Sequence, residues 1–218
     1  MRSYYFTRPK PIFWSLVWCG LFLHGTLSPS HACAPDLDIT KPLPLEEEAV
    51  GISRVIENLG QSTIHERAFH ETYYSAMLTT PSYKEGTLRF QPPARLEKHV
   101  RIPAKESFIA DGERLLYENP SREISQTFSL QDYPALAALI EGLRSLFNGD
   151  EVSLRQVFHV SMAGTPDNWH LNLSPKTQNQ EDGVDCLRLT GNSTHLLTIS
   201  IYETNGDHST LQLDPQMP

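Results

Sequence analysis

The spacing of apolar residues changes period several times along this chain. Leu45, Ala49, Ile52, Ile56 and Leu59 recur every three or four residues, which places them on one face of a helix. Glu46, Glu47 and Glu48 fall in its first turn, where the helix dipole favours negative charge, and Gly60 is a natural stop. From His65 the period becomes two. "RAFHETYYSAML", "GTLRF" and "RLEKHVRI" read as strands, the last ended by Pro103. "ESFIADGERLLYEN" carries Asp111-Gly112 between two alternating runs, a strong hairpin signal. Four or five antiparallel strands are therefore expected in succession.

The helical period then returns. Tyr133, Leu136, Leu139, Ile140, Leu143 and Phe147 share one side of "DYPALAALIEGLRSLFNGD". Asp132 is a candidate cap, Pro134 suits the first turn and Gly149 suits the end. "EVSLRQVF" reads either as a short helix or as the start of the next strand. After it, "VFHVSMAG", "NWHLNLSP", "VDCLRLTG", "HLLTISIYET" and "HSTLQLD" all alternate, with Gly191-Asn192 and Asn205-Gly206 as expected hairpin turns. On this pattern Trp169, Leu171 and Leu173 share a face, as do Leu187 and Leu189, and Leu197, Ile199 and Ile201. The pattern predicts a mainly β (α+β) fold: a large antiparallel sheet of about ten strands, which must curl or split, with few helices to cover its apolar face.

The first 32 residues stand apart. Arg2, Arg8 and Lys10 precede an apolar run, Ile12–Leu23, and "LSPSHA" ends in small residues. A run this short falls below the roughly 18–20 residues that span a bilayer, so a signal peptide cleaved after Ala32 is expected. Residues 33–44 then form a proline-rich, flexible lead-in, and 45–218 a single domain. Loss of the three basic residues takes the net charge of −8 to −11. A surface so acidic argues against nucleic acid and against adhesion to anionic lipid. The exported chain keeps Cys33 and Cys186. A disulfide between them is allowed but not required. Lipidation at Cys33 is the other use of that position, although Ser30 stands where a lipobox usually has leucine.

Catalytic and metal motifs are missing: no G-x-S-x-G, no phosphate-binding glycine loop, no H-E-x-x-H. His65 and His70 are five apart, so a strand would point them to opposite faces. Cys186 has no base evident beside it in sequence, and Glu66 and Glu71 could form an acid–base pair only by a coincidence of folding. No catalytic residue, metal or cofactor is expected. Alternating Leu, Ile, Trp and Phe make either a filled core or a cavity, and composition alone does not separate the two.

One segment, "STIHERAFHETYYSAML…YKEGTLRFQPPARLEKHVRIPAKESFIADGERLLYENP", resembles the periplasmic outer-membrane lipoprotein carrier (LolA) family and its LolA-like relatives. The matching features are Phe69-His70-Glu71-Thr72 in a first strand, Gly86 and Leu88 leading to Pro92-Pro93, Leu96 opening the next strand, and Asp111-Gly112. Later come Trp169, Leu171, Leu173, Pro175 and Lys176, and the "NGDHSTLQL" turn. The likeness covers roughly residues 45–213. It implies an unclosed antiparallel half-barrel of about 10–11 strands, with helices lying across its concave face as a lid. It also implies a monomeric, periplasmic carrier of lipid or lipoprotein acyl chains, passing cargo from an inner-membrane exporter to an outer-membrane acceptor.

The expected ligand-binding residues come from the strands (Leu88, Phe90, Leu96, Trp169, Leu171, Leu173, Leu197, Ile199, Ile201) and from the lid (Leu136, Leu139, Leu143). Pro92 stands where the family has a lid-latching arginine, and the chain ends at Pro218, soon after the last shared strand. Both departures point to a divergent paralogue that moves some other lipid. The alternatives are a membrane-tethered acceptor lipidated at Cys33 and a periplasmic lipid-modifying enzyme.

Overall fold

Eleven strands form one antiparallel sheet, and the chain lays them down in two runs. The computed structural model describes residues 45–61, 66–177 and 183–214. The expected signal peptide, Cys33, the lead-in and His65 lie outside the described residues. The first run is β1 (Arg67–Tyr74), β2 (Ser82–Gln91), β3 (Arg95–Ile102), β4 (Glu106–Asp111), β5 (Arg114–Asn119) and β6 (Ile124–Ser129). The second is β7 (Phe158–Thr165), β8 (Asn168–Pro175), β9 (Val184–Asn192), β10 (His195–Glu203) and β11 (His208–Leu213).

Their order in the sheet is β6-β5-β4-β3-β2-β1-β11-β10-β9-β8-β7. Each run is a meander of neighbours. The two join where β1 pairs with β11, with Phe69 opposite Leu213 and Tyr74 opposite His208. The outermost strands, β6 and β7, do not pair, so the sheet is an unclosed half-barrel.

Three α-helices cover its inner face: α1 (Leu45–Gln61) before β1, and α2 (Pro134–Asn148) and α3 (Glu151–Val157) between β6 and β7. "EVSLRQV" is thus a helix and Phe158 begins the strand. α1 buries Ile52, Val55, Ile56 and Leu59, while Ala49 is exposed. Gly60 does not stop this helix, which runs on to Gln61. Its missing side chain instead lets α1 approach the end of α2, since a Cβ there would lie 2.5 Å from Gly149 Cα. Gly149, at φ +71°, ends α2 in the left-handed conformation that glycine adopts without strain. Asp132 does not cap α2. It lies in a 3₁₀ turn (Leu130–Asp132), and Tyr133 occupies the N-cap with no side-chain hydrogen bond.

One further expectation is corrected, and one strand is added to those the alternation showed. The β9–β10 turn is Ser193-Thr194, with Ser193 at φ +44°, rather than Gly191-Asn192. Gly191 lies within β9, and a Cβ there would be 2.1 Å from the Trp169 ring, so the glycine makes room for the indole. β6 is an eleventh strand that the alternation did not show. It is an edge strand with Ser125, Gln126 and Thr127 exposed, the polar dressing that keeps free edges from pairing with other chains.

Candidate functional site

The inner face of the half-barrel is apolar toward the end that carries the β2–β3 and β4–β5 hairpins. Alternation sends Leu88 and Phe90 inward from β2, Leu96 from β3, and Phe108 and Ala110 from β4. β8 contributes Trp169, Leu171 and Leu173, all at 0% exposure. Leu136, Leu139 and Leu143 of α2 are buried in the same apolar cluster, together with Ile199 and Ile201 of β10. So eleven of the twelve expected ligand-binding residues are brought together.

Leu197 is the exception. The pairing of β10 with β9 shifts between Leu196 and Thr198, so β10 carries an extra residue there. The bulge turns Leu196 into the core at 0% exposure and leaves Leu197 half-buried.

In this state the concave face is occupied by the protein's own helices. Phe147 of α2 meets Phe90 with ring centroids 5.3 Å apart. The Asn148 Nδ2 amide donates to the Pro93 carbonyl at 2.8 Å. That bond ties the end of α2 to the loop Pro92-Pro93-Ala94, which Gln91 and Arg95 close as paired neighbours. The proline pair costs the sheet no ladder donors, because both prolines lie outside the paired residues of β2 and β3. Sequence reasoning expected helices to cover this face and named lid residues from α2 only. Ile52, Val55, Ile56 and Leu59 of α1 fill the concavity as well, a role their helical spacing was compatible with but did not require.

The opposite end of the inner face is polar, and the sequence reading missed it. Lys98 Nζ lies 2.9 and 2.8 Å from the two oxygens of buried Glu71 and 5.3 Å from the Phe69 ring centroid. Burial holds the Lys98 pKa below its ordinary value, against the pull of Glu71. Lys84 pairs with Glu106 at 3.3 Å, and Asn119 Nδ2 donates to Glu106 at 3.1 Å. The signal was present in outline: Glu71 follows Phe69 by two, Lys98 follows Leu96 by two, and Glu71 and Lys84 are register partners. Charged residues at inward positions of a strand mark either a network or a ligand.

On the outer face, burial pushes the Glu97 carboxyl up. Hydrogen bonds from His99 at 2.9 Å and Arg95 at 2.5 Å outweigh it and leave the group below the usual carboxylate range.

The residues considered for catalysis are engaged elsewhere. Cys186 is disulfide-bonded, and a disulfide sulfur is no nucleophile. Glu71 is taken up by Lys98. His70 is on the outer, exposed face, 3.7 Å from Glu85 and 3.6 Å from Asp214. Among the described residues no group of three or more His, Cys, Asp or Glu could hold a metal ion.

Residues 45–214 match the family described as outer membrane lipoprotein carrier protein LolA-like. The chain belongs to this LolA-like family. Family membership carries with it a carrier-type binding role. No curated protein matches the sequence significantly. Among solved structures, a LolA superfamily protein from Nitrosomonas europaea is similar at 12% identity, covering 77% of this chain and 94% of that one, with a TM-score of 0.37. A putative outer membrane lipoprotein-sorting protein domain from Vibrio parahaemolyticus is similar at 8% identity, covering 78% and 91%, with a TM-score of 0.41. Pseudomonas aeruginosa MucB, in complex with MucA, is similar at 10% identity over 76% of this chain and 54% of that one, with a TM-score of 0.34. No described helix of this LolA-like chain is long and apolar enough to cross a membrane.

Proposed function

We propose that this LolA-like protein is a periplasmic carrier that shields an acyl chain of a lipid or lipoprotein between α1–α2 and the inner face of the sheet, and delivers it from the inner to the outer membrane. The observation that carries the reading is the apolar seam between α2 and the hairpin end of the sheet. The sheet is held by its own backbone ladder, whereas α2 is held across the seam by side-chain packing and by the Asn148–Pro93 bond.

Burial of an acyl CH₂ is worth about 0.8 kcal/mol, so a 16-carbon chain resists water by roughly 13 kcal/mol. A carrier must offer comparable apolar surface and still release its load. Ligand and α2 compete here for one face, so uptake and lid opening are a single equilibrium. An exporter and an acceptor at the two membranes complete the reading.

The test is organic extraction and native mass spectrometry of protein isolated from periplasm, with uptake of a fluorescent acyl probe alongside. Bound acyl lipid is expected. Leu96→Glu, at the rim, should keep the native circular dichroism and lose uptake. A lipid-free protein that takes up no probe overturns the proposal.

A further inference from the structure

On the inner face of the sheet the buried lysines are matched by carboxylates, Lys98 by Glu71 and Lys84 by Glu106. The charge on the covering helix is not. Arg144 of α2 has a side chain only 9% exposed, yet its Nε and Nη2 have no hydrogen-bond partner. Its third nitrogen, Nη1, stays 3.9 Å from a carboxylate oxygen of Glu141, whose side chain is half-exposed, beyond hydrogen-bonding reach. Nε–H and Nη2–H form one edge of the guanidinium plane. That edge grips two oxygens of a carboxylate or phosphate in parallel. Leaving buried donors unmet is costly, and a buried cation without an anion more so. Burial lowers the Arg144 pKa, and Glu141 and Asp111 only partly offset that.

The position of this edge fits a headgroup. Arg144 lies one helical turn before Asn148, which is bonded to the β2–β3 loop, and three residues before Phe147, which packs on Phe90. Leu96 stands opposite Ala110, and Asp111 follows at the β4–β5 turn. Arg144 is therefore at the rim where α2 crosses the two hairpins, beside the apolar seam. A chain that takes the place of Leu143 and Phe147 brings its head to this rim. We infer that the Nε/Nη2 edge of Arg144 receives an oxyanion, carboxylate or phosphate, on the headgroup of a single-chain anionic amphiphile carried in the seam. This rests on the carrier reading and adds the chemical class of the cargo.

The mature protein, loaded with the neutral fluorophore N-phenyl-1-naphthylamine, is titrated with palmitate, monopalmitoyl phosphatidic acid, the neutral monopalmitoylglycerol, and inorganic phosphate. The two anionic lipids are expected to displace the probe at about tenfold lower concentration or better than the neutral one, as two charge-assisted hydrogen bonds warrant. Arg144→Met should fold, since removal of an unpaired buried charge is neutral or stabilising. It should bind monopalmitoylglycerol as before and lose the anionic preference. Arg144→Lys, which keeps the charge and not the fork, should recover part of it, and it carries the comparison if the Met variant misfolds. Equal affinity for charged and neutral lipids, or a preference unchanged in both variants, overturns the inference and leaves the carrier standing. Binding of inorganic phosphate through Arg144 without any lipid preference overturns the headgroup assignment in favour of a free anion. Failure of every acyl lipid to displace the probe defeats the carrier reading and this inference with it.

Discussion

In β10 one extra residue decides which of two adjacent leucines enters the core. Gly191 faces Leu196 and Leu189 faces Ile199, so the inward rank of β9 is matched by residues three apart on β10. Two residues thus sit between inward positions where a regular strand has one. Leu196→Ala is expected to cost about 2–5 kcal/mol in urea unfolding, the usual range for truncating a fully buried leucine, and Leu197→Ala well under half as much. Equal costs would remove the bulge from the explanation. Strict alternation from Ile201 back to Ile199 leads to Leu197, and nothing in "HLLTISI" marks where alternation breaks, because both candidates are leucine. Arg144 was hidden for a related reason. In a sequence, an arginine on an amphipathic helix reads as a solvated charge. That its free edge lacks a partner depends on how α2 lies over two hairpins distant in the chain.

For the elements, most of the fold was legible where burial is one-sided. β3 runs from Arg95 to Ile102, the bounds set by its alternation and by Pro103. β7 to β11 follow the same logic. β6 escaped because an edge strand is half-exposed on both faces, and Ile124 and Phe128 are only partly buried. The helices were found by period, but their mutual approach was not.

Gly60 shows the difference. In a helix interior glycine is about 1 kcal/mol worse than alanine, so Gly60→Ala should stabilise an isolated α1. In this protein the added Cβ would meet the Gly149 backbone at 2.5 Å, and backbone does not yield as a side-chain tip does. Thermal unfolding of Gly60→Ala is expected at a lower temperature than wild type. A rise would mean that the two helix ends are free to separate.

Across the whole molecule, the division between a sheet held by backbone ladders and helices held by side chains predicts where motion occurs. On addition of a single-chain lipid, hydrogen–deuterium exchange should accelerate across residues 134–148 and stay slow at Trp169–Leu173. Bound lipid with unchanged exchange in α2 would show that the helix is not displaced. The half-barrel outline and the burial of eleven of the twelve expected residues in one apolar cluster could be read in advance, because apolar alternation records which face is covered. It does not record what covers it. The sealed ion pairs at one end and the helical filling of the other emerge only when strands far apart in the chain are set side by side.

The pairing of β1 with β11 has a consequence for how the molecule comes into being. β2 to β6 can be added to β1 through short local turns as the chain is made. The other edge of β1 stays bare until the last strand arrives, and its partner residues Phe69 and Leu213 close nearly the full length of the described chain. Loop closure over that distance is slow to find although its entropic cost grows only logarithmically. Through that interval β1 is itself a free edge at the centre of the future sheet, able to recruit a strand from another chain. The sheet's seam is thus the last joint to form and the point most open to misassembly on the way.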